Sequence, residues 1–184
     1  AALLIYGIYA SFFPQYNPGD HPNNAQHTQA SVPTSIPAQI TSDVFLVTKI
    51  VDGDTIEVAE LDAAAHATDI KHTVRYIGID TPETVAPGKS VQCYGKEASA
   101  RNAELALNQY VRLEKDKSDT DRYGRWLRYA YAQAGQPTSG DNAAEIFINM
   151  VLVREGYARA HAYAPDPMHK ADFTVAEHGA RSYL

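Results

Sequence analysis

Residues 44–58 read VFLVTKIVDGDTIEV and set the start of the folded part of the chain. Residues 44–51 are mostly apolar or β-branched, a pattern that predicts a buried β-strand. The Asp-Gly-Asp sequence at 52–54 is a turn signal, and residues 55–58 alternate as a second strand. We therefore expect an antiparallel hairpin that begins near Asp43.

Further elements follow on the C-terminal side of this hairpin. Polar, Ala-rich residues 59–71 predict a hairpin loop, and residues 72–79 predict a third strand that Pro82 stops. Residues 110–114 and 126–133 predict two more strands. Helical spacing of apolar residues predicts three helices, at 96–108, 143–155 and 168–183. This order predicts an α+β, mainly β fold, an OB-type five-stranded barrel with about three helices.

The N-terminal residues differ in composition from this domain. Residues 1–13 (AALLIYGIYASFF) are uncharged and almost wholly apolar, but they are shorter than the roughly 20 residues that span a bilayer as a helix. They fit the remnant of a membrane anchor or a secretory signal, or a short apolar segment packed on the domain. Residues 14–42 contain five of the ten prolines and predict a flexible linker. We expect a secreted or membrane-anchored, extracytoplasmic protein whose folded domain is 43–184.

The overall charge is unusual for a protein that binds nucleic acid. The 184 residues include 16 Lys and Arg against 22 Asp and Glu, a net charge of −6, whereas nucleic-acid binders usually present a basic surface. Residues 112–128 reverse this balance, with six basic against four acidic side chains. An enzyme needs only a local positive cleft, so the charge of this region matters more than the total.

Two acidic motifs stand at predicted strand ends. Asp52 and Asp54 offer hard oxygen ligands to a divalent cation, although Asp-Gly is first of all a turn preference. Arg75 lies in the third strand, with Asp80 at its end and Glu83 just beyond Pro82. In phosphodiester hydrolysis one carboxylate can bind metal, another can orient or deprotonate water, and a guanidinium can neutralise the developing charge. The spacing is equally compatible with a buried Arg–Asp pair and a proline turn.

A third motif, DRYGR at 121–125, comes just before the fifth predicted strand. Gly124 permits an unusual backbone angle, so Arg125 projects from a fixed strand start. The planar guanidinium of arginine suits bidentate contact with phosphate. The alternative is a solvated charged loop.

Taken in order, these motifs resemble the staphylococcal nuclease (thermonuclease) family. The matching segments are VDGDT (51–55), R-x4-DTPE (75–83), YGKEAS (94–99), DRYGR (121–125) and INMVLVREGYA (148–158). The resemblance runs from about Val47 to at least Tyr163. It implies an OB-type barrel that hydrolyses DNA and/or RNA with Ca²⁺, breaks the 5′ P–O bond and leaves 3′-phosphate ends.

The resemblance also implies a metal site and a base. Asp54 and Asp80 match the metal-binding carboxylates of the family, and the carbonyl of Thr81 matches its backbone ligand. Asp52 matches a carboxylate that lies close to the metal without binding it directly. Glu83 matches the residue that acts as general base or positions the attacking water.

The substrate contacts follow from the same resemblance. Arg75 and Arg125 match the two arginines that hold the scissile phosphate. Arg122 and Tyr123 resemble the Lys-Tyr pair that contacts a terminal phosphate, with arginine in place of lysine.

The base pocket departs from the family pattern. Two nearby tyrosines line it in the family, whereas this chain reads ARAHAYAPDP at 158–167. Tyr163 matches one of them and the other position falls near His161, whose imidazole could stack on a base.

We therefore expect a Ca²⁺-dependent endonuclease that acts as a monomer on DNA and/or RNA. Two alternatives remain open. The chain could be a non-catalytic nucleic-acid- or protein-binding barrel, or a membrane-tethered structural domain in which the acidic pair only holds Ca²⁺.

Overall fold

The computed structural model describes residues 43–84, 92–133, 145–161 and 165–182. The predicted N-terminal segment and linker lie outside the described residues, and so does Tyr163. Within the described ranges no helix has the length and apolar character needed to cross a membrane.

Five strands of the described chain close into a barrel, and three helices accompany it. The elements are β1 (Val44–Asp52), β2 (Thr55–Leu61), β3 (Ala67–Tyr76), β4 (Ile79–Asp80), α1 (Gly95–Ala106), β5 (Tyr110–Glu114), β6 (Trp126–Gln133), β7 (Glu145–Phe147), α2 (Ile148–Arg154), β8 (Arg159–Ala160) and α3 (Lys170–Arg181). The barrel order is β3-β2-β1-β5-β6, and a parallel pairing of β3 with β6 closes it. The predicted mainly β, OB-type barrel with three helices is confirmed.

Apolar side chains from alternate strand positions fill the barrel. Successive strand residues point to opposite faces, so one set faces inward along each strand. Val47, Ile56, Val58, Val74 and Val111 are all fully buried. Burial of such a side chain stabilises the fold by about 1.5–3 kcal/mol. The strands are therefore rigid supports for any side chain that emerges at their ends.

The β2–β3 hairpin is longer than predicted. The loop expected at 59–71 shrinks to 62–66, because both strands continue their backbone pairing up to Leu61 and from Ala67. The Asp62 carboxylate closes this turn by accepting hydrogen bonds from the backbone N–H groups of Ala64 (2.9 Å) and His66 (2.8 Å).

The predicted third strand, 72–79, is wrong as a single element. β3 ends at Tyr76, the chain bends at Gly78 with φ +80°, and Ile79 resumes as β4. A Cβ atom at position 78 would also collide with the ring of Phe173 on α3. Both the left-handed backbone and the close approach favour glycine here. The short β4 then pairs with β8.

The second predicted helix, 143–155, is also wrong at its start. Glu145–Phe147 forms β7, which pairs with the end of β6, and the helix begins only at Ile148. The Phe147 ring stacks on Tyr131 at 4.6 Å between centroids. The Glu145 carboxylate accepts hydrogen bonds from the Arg112 guanidinium at 2.8 and 2.7 Å. These contacts to the sheet outweigh the local helical pattern.

Candidate active site

The Arg75 guanidinium bridges two carboxylates at the mouth of the barrel. Arg75 pairs in register with Thr55 across the β2–β3 ladder, which places it next to Asp54. Its Nη2 lies 3.1 Å from Asp54 Oδ2 and 2.9 Å from Asp80 Oδ1. The two carboxylate oxygens can therefore be no more than 6.0 Å apart.

The bend after β3 fixes the orientation of Arg75. Its Nη1 donates to the backbone carbonyls of Tyr76 and Ile79, both at 2.9 Å. The two carbonyls lie on either side of Gly78 in the chain, so the bend places two hydrogen-bond acceptors next to the guanidinium. Arg75 is buried, and these carbonyl and carboxylate oxygens hold its charge in one place.

Asp54 is a buried carboxylate held by hydroxyl and amide donors. The backbone N–H and the hydroxyl of Thr81 donate to its Oδ2 at 2.8 and 2.9 Å, and the Thr55 hydroxyl donates to Oδ1 at 3.1 Å. Burial raises the pKa of Asp54, although Arg75 and Thr81 act in the opposite direction. The negative charge of this carboxylate is thus incompletely compensated by its protein neighbours.

Asp52, at the end of β1, and Glu83, in the segment after β4, are each held by several hydrogen bonds. The Asp52 carboxylate accepts a 2.6 Å hydrogen bond from the Thr84 hydroxyl and a 2.8 Å bond from the Gly53 N–H. Glu83 and Gln92 are linked twice, from the Gln92 N–H to the Glu83 carbonyl and from the Glu83 N–H to Gln92 Oε1, each at 3.0 Å. The backbone that carries Glu83 is therefore pinned on both sides.

Asp121 organises the turn that carries Arg125. Its Oδ1 accepts from the backbone N–H groups of Tyr123 (2.9 Å) and Arg125 (3.0 Å), and Gly124 takes a φ of +80°. Its Oδ2 lies 2.7 Å from both Nε and Nη2 of Arg125. Partial burial raises the pKa of Asp121, but these hydrogen bonds together hold it below its ordinary value. The carboxylate stays ionised and aims the guanidinium.

The same turn presents an exposed tyrosine flanked by arginines. Tyr123 is 69% exposed. Its hydroxyl accepts a 2.7 Å hydrogen bond from Arg122, and the guanidinium carbons of Arg122 and Arg125 lie 4.8 and 5.5 Å from its ring centroid.

One cleft of about 700 Å³ brings most of the predicted site residues together. The predicted residues that line it are Asp52, Asp54, Arg75, Asp80, Thr81, Glu83, Arg122, Tyr123 and Arg125. His161 lies elsewhere, in a cavity of about 190 Å³ beside Tyr129 and Phe173. Its backbone N–H donates to the Gly78 carbonyl at 2.8 Å.

Comparison with known proteins places this geometry in a family. A family model described as staphylococcal nuclease homologue matches residues 73–183, more than half of the chain. The chain belongs to the staphylococcal nuclease homologue family.

Relatives within this family have names that describe nucleases. The thermonuclease of Staphylococcus hyicus is 42% identical over 122 residues, which are 66% of this chain and 62% of that protein. The thermonuclease of Staphylococcus intermedius is 37% identical over 156 residues, 85% of this chain and 76% of that protein. Endonuclease YncB of Bacillus subtilis (strain 168) is 39% identical over 136 residues, 73% of this chain and 56% of that protein. This chain therefore spans about three fifths of the length of the first and third of these relatives.

In this staphylococcal nuclease homologue, a buried asparagine supports the site without lining it. Asn102 of α1 is fully buried, its Nδ2 donates to the Asp52 carbonyl at 3.0 Å, and its Oδ1 accepts from the Tyr76 hydroxyl at 2.9 Å. Sequence reasoning missed this residue, as it missed the carboxylate contacts of Asp121 and Thr84. The available signal was an asparagine at an apolar position of an Ala-rich helix, where asparagine is locally unfavourable.

The donor set at the mouth of the barrel fits a hard divalent cation. Among the described residues, no group of three or more His, Cys, Asp or Glu side chains is placed to hold a metal ion. Asp54 and Asp80 nevertheless offer two carboxylates within 6.0 Å, and Asp54 is short of compensating positive charge. Ca²⁺ takes six to eight oxygen ligands and accepts backbone carbonyls and water among them. Two carboxylates with a neighbouring carbonyl are compatible with such an ion.

Proposed function

We propose that this chain is a metal-dependent endonuclease that hydrolyses phosphodiester bonds of DNA and/or RNA. The observation that carries the proposal is the cleft in which Arg75 and Arg125 face the carboxylates of Asp54, Asp80 and Glu83. Two cations and three carboxylates of this kind supply phosphate binding, a metal site and a base in one place. The names of the thermonuclease and endonuclease relatives support the same activity.

We propose that the cofactor is Ca²⁺. Asp54, Asp80 and the backbone carbonyl of Thr81 would hold the ion, with the Asp52 carboxylate close by. When bound, such an ion draws a phosphate oxygen toward itself and neutralises charge that develops on it. Hard oxygen donors of this type are what calcium prefers.

In the proposed reaction, Glu83 accepts a proton from the attacking water. The water oxygen forms a bond to phosphorus, the bond from phosphorus to the 5′ oxygen breaks, and that oxygen takes a proton from solvent and leaves as a hydroxyl. The products have a 3′-phosphate and a 5′-hydroxyl end. The double link between the Glu83 backbone and Gln92 holds the segment that carries this base.

Both arginines line the cleft and are proposed to hold the phosphate. Arg75 is fixed in place by carbonyls and carboxylates, so its charge is oriented before the substrate arrives. Arg125 gives Nε and Nη2 to Asp121, which leaves Nη1 for a phosphate oxygen. Preorganised donors of this kind lower the barrier because they need not rearrange as negative charge develops.

We assign contacts with the substrate beyond the scissile phosphate to further residues. Arg122 and Tyr123 form an exposed cation and ring at the edge of the cleft, suited to a flanking phosphate. For His161 and Tyr163 a role in base binding rests on the sequence resemblance alone.

Hydrolysis of single-stranded DNA with CaCl₂ and with EDTA tests this proposal. We expect turnover with calcium and none with the chelator, and activity that survives EDTA contradicts the metal role. Glu83→Gln and Arg125→Ala should each lose about 10²-fold or more in kcat, the scale for losing one transition-state contact.

Glu97→Gln is the matched control, because Glu97 is an exposed carboxylate on α1 that lines no cavity described above. It should leave turnover unchanged. Near-wild-type rates in both site variants contradict the assignment of the site. Tight binding of the strand without cleavage identifies a non-catalytic binding module instead.

Export or membrane anchoring is a separate proposal that rests on residues 1–42. The apolar residues 1–13 and the proline-rich residues 14–42 suit a tethered, extracytoplasmic domain at 43–184 that acts as a monomer. Fractionation of the source cells tests it, and activity confined to the cytoplasm contradicts it.

A further inference from the structure

A second cavity lies on the other side of Asp80 and Thr81 from the arginines. Its volume is about 540 Å³, and both residues line it as well as the main cleft. They therefore form a wall that the two cavities share. A volume of this size falls within the range of sites that hold small molecules or parts of larger ligands. The remaining lining residues are Pro82, Gln92, Cys93, Tyr94, Gly156, Tyr157, Ala158 and Arg159.

Arg159 brings a positive charge to this cavity. It stands directly opposite Asp80 in the antiparallel β4–β8 ladder. Directly opposed residues have Cβ atoms about 4.5–5.5 Å apart and side chains on the same face. Asp80 is nevertheless paired with Arg75, and the exposed Arg159 guanidinium has no hydrogen bond or ion pair within the described ranges. The charge is available to an anion next to the metal-binding loop.

Tyr94 brings an exposed aromatic ring to the same cavity. The residue is 60% exposed, and neither its ring nor its hydroxyl has a partner in the described part of the chain. Its backbone has a φ of +68°, a strained value for a residue with a Cβ atom. Backbone bonds fix it there, since its carbonyl accepts from the Ala98 N–H at 3.0 Å and the next residue, Gly95, donates to Gln92 at 3.0 Å. The ring is thus presented from a fixed backbone.

We propose that this second cavity is a subsite for single-stranded polynucleotide beyond the scissile phosphate. Arg159 binds a backbone phosphate there and a base stacks on Tyr94. This inference rests on the proposed nuclease function, because a strand that is cut internally must continue on both sides of the cut. A cation that follows the backbone and an aromatic ring for the bases are what single-strand binding sites combine. A base must be unstacked to reach Tyr94, so the subsite selects single strands over duplex.

Kinetics on a long and a small substrate test the subsite. The long substrate is a single-stranded DNA of about 20 nucleotides, longer than the 4–16 nucleotides that one small barrel usually covers. The small one is bis(p-nitrophenyl) phosphate, which offers a diester to the main cleft without a strand to fill the second cavity. We expect Arg159→Ala and Tyr94→Ala to lower kcat/KM on the strand about tenfold more than on the small diester, mainly through KM.

Two further variants control for charge and for folding. Tyr94→Phe keeps the ring and should stay within about twofold of wild type on both substrates. Arg154→Ala removes the same charge from another exposed arginine, which has no ion pair in the described residues and lines neither cavity. It should leave both substrates unaffected. Equal losses on strand and diester in Arg159→Ala or Tyr94→Ala, or no loss on either, overturn the subsite.

Binding separates this inference from the proposed function. If the chain turns over neither substrate with calcium, the nuclease proposal fails; if it turns over only one, the comparison of rates cannot be made. In either case fluorescence anisotropy of the labelled strand decides. Arg159→Ala and Tyr94→Ala should raise Kd about tenfold, and Arg159→Ala should also reduce the slope of log affinity against log salt by about 0.7. Wild-type Kd and salt slope in both variants overturn the subsite.

Discussion

The two halves of the cleft hold their arginines in different ways. In the half carried by strands, the Arg75 side chain is 9% exposed and contacts two carboxylates and two backbone carbonyls. In the half carried by the 121–125 turn, the Arg125 side chain is 32% exposed, and among the described residues Asp121 is the one carboxylate that it contacts. In the first half the contacts that orient the functional group also hold the fold together. In the second, function can be removed while the fold remains.

The largest expected effect is a difference in stability between Arg75→Ala and Arg125→Ala. Arg75→Ala leaves Asp54 buried without its cation, and loss of one partner of a buried ion pair destabilises a protein by about 3–5 kcal/mol. Arg125→Ala removes a partly exposed pair and should change the free energy of unfolding by less than about 1 kcal/mol. Both variants should lose at least about 10²-fold in kcat. Urea unfolding and DNA hydrolysis measure the two quantities.

Arg75→Lys provides the same comparison if Arg75→Ala does not fold. It keeps the charge but loses the forked contacts to Tyr76 and Ile79, so it should be destabilised less and still be impaired in turnover. Equal losses of stability in Arg75→Ala and Arg125→Ala contradict the contrast between the two halves.

For Asp54→Asn we expect a smaller change in the free energy of unfolding, opposite in sign to that of Arg75→Ala. Because burial raises the pKa of Asp54, its charged form opposes folding when calcium is absent. Asp54→Asn keeps the oxygen that accepts from Thr81 and removes that charge. It should raise the free energy of unfolding in EDTA by on the order of 1 kcal/mol while abolishing turnover.

The pH dependence gives this prediction a sign. A carboxyl group with a raised folded pKa contributes its stability at low pH and loses it as pH rises through the folded value. The advantage of Asp54→Asn should therefore appear at neutral pH and vanish near about pH 3, where both proteins carry an uncharged group. Asp69→Asn is the control for net charge, since Asp69 is exposed and lines no cavity described here. An equal gain in Asp69→Asn assigns the effect to net charge rather than to the site.

The strand-borne half could be anticipated from sequence better than the bend that completes it. Alternating apolar residues predicted the strands that bring Thr55 and Arg75 together, since the hairpin register follows from that pattern. Gly78, at the bend, packs so close to the Phe173 ring of α3 that a Cβ atom would not fit, and no local pattern reports a contact so distant along the chain. The Arg75 contacts to Tyr76 and Ile79 follow from that bend and could not be predicted from the sequence either.

At Glu145–Phe147 the local pattern gave a wrong prediction because sheet contacts compete with local preference. Glu145–Phe147 continues a helical pattern, yet pairing with β6 and the stack of Phe147 on Tyr131 make it a strand. The role of His161 in base binding stays a prediction: its backbone N–H donates to the Gly78 carbonyl, and the residue lines a cavity other than the main cleft. Spacing along a chain does not reveal which side of a short ladder a residue faces.

The smallest expected effect tests Asp121 as a positioning residue in the turn-borne half. Asp121→Asn keeps an oxygen for the N–H groups of Tyr123 and Arg125 but loses the ion pair that aims Arg125. We expect about a three- to tenfold loss in kcat with little change in KM, since a misaimed group loses transition-state contact before it loses binding. The loss of stability should stay below about 1 kcal/mol.

Low pH should remove the small difference in stability between wild type and Asp121→Asn. The lowered pKa of Asp121 means that its contribution to stability is present above the ordinary pKa of aspartate and is lost as pH falls through the lower folded value. Wild type and Asp121→Asn should therefore differ in urea midpoint at neutral pH, and the difference should shrink as pH falls below the ordinary pKa of aspartate and through the lower folded value. Asp119→Asn is the matched control, because Asp119 lies on the same loop as Asp121 and pairs with an arginine, Arg128 of β6, but does not line the cleft. If Asp119→Asn lowers kcat as much as Asp121→Asn, the loop as a whole positions Arg125 and the specific ion pair does not.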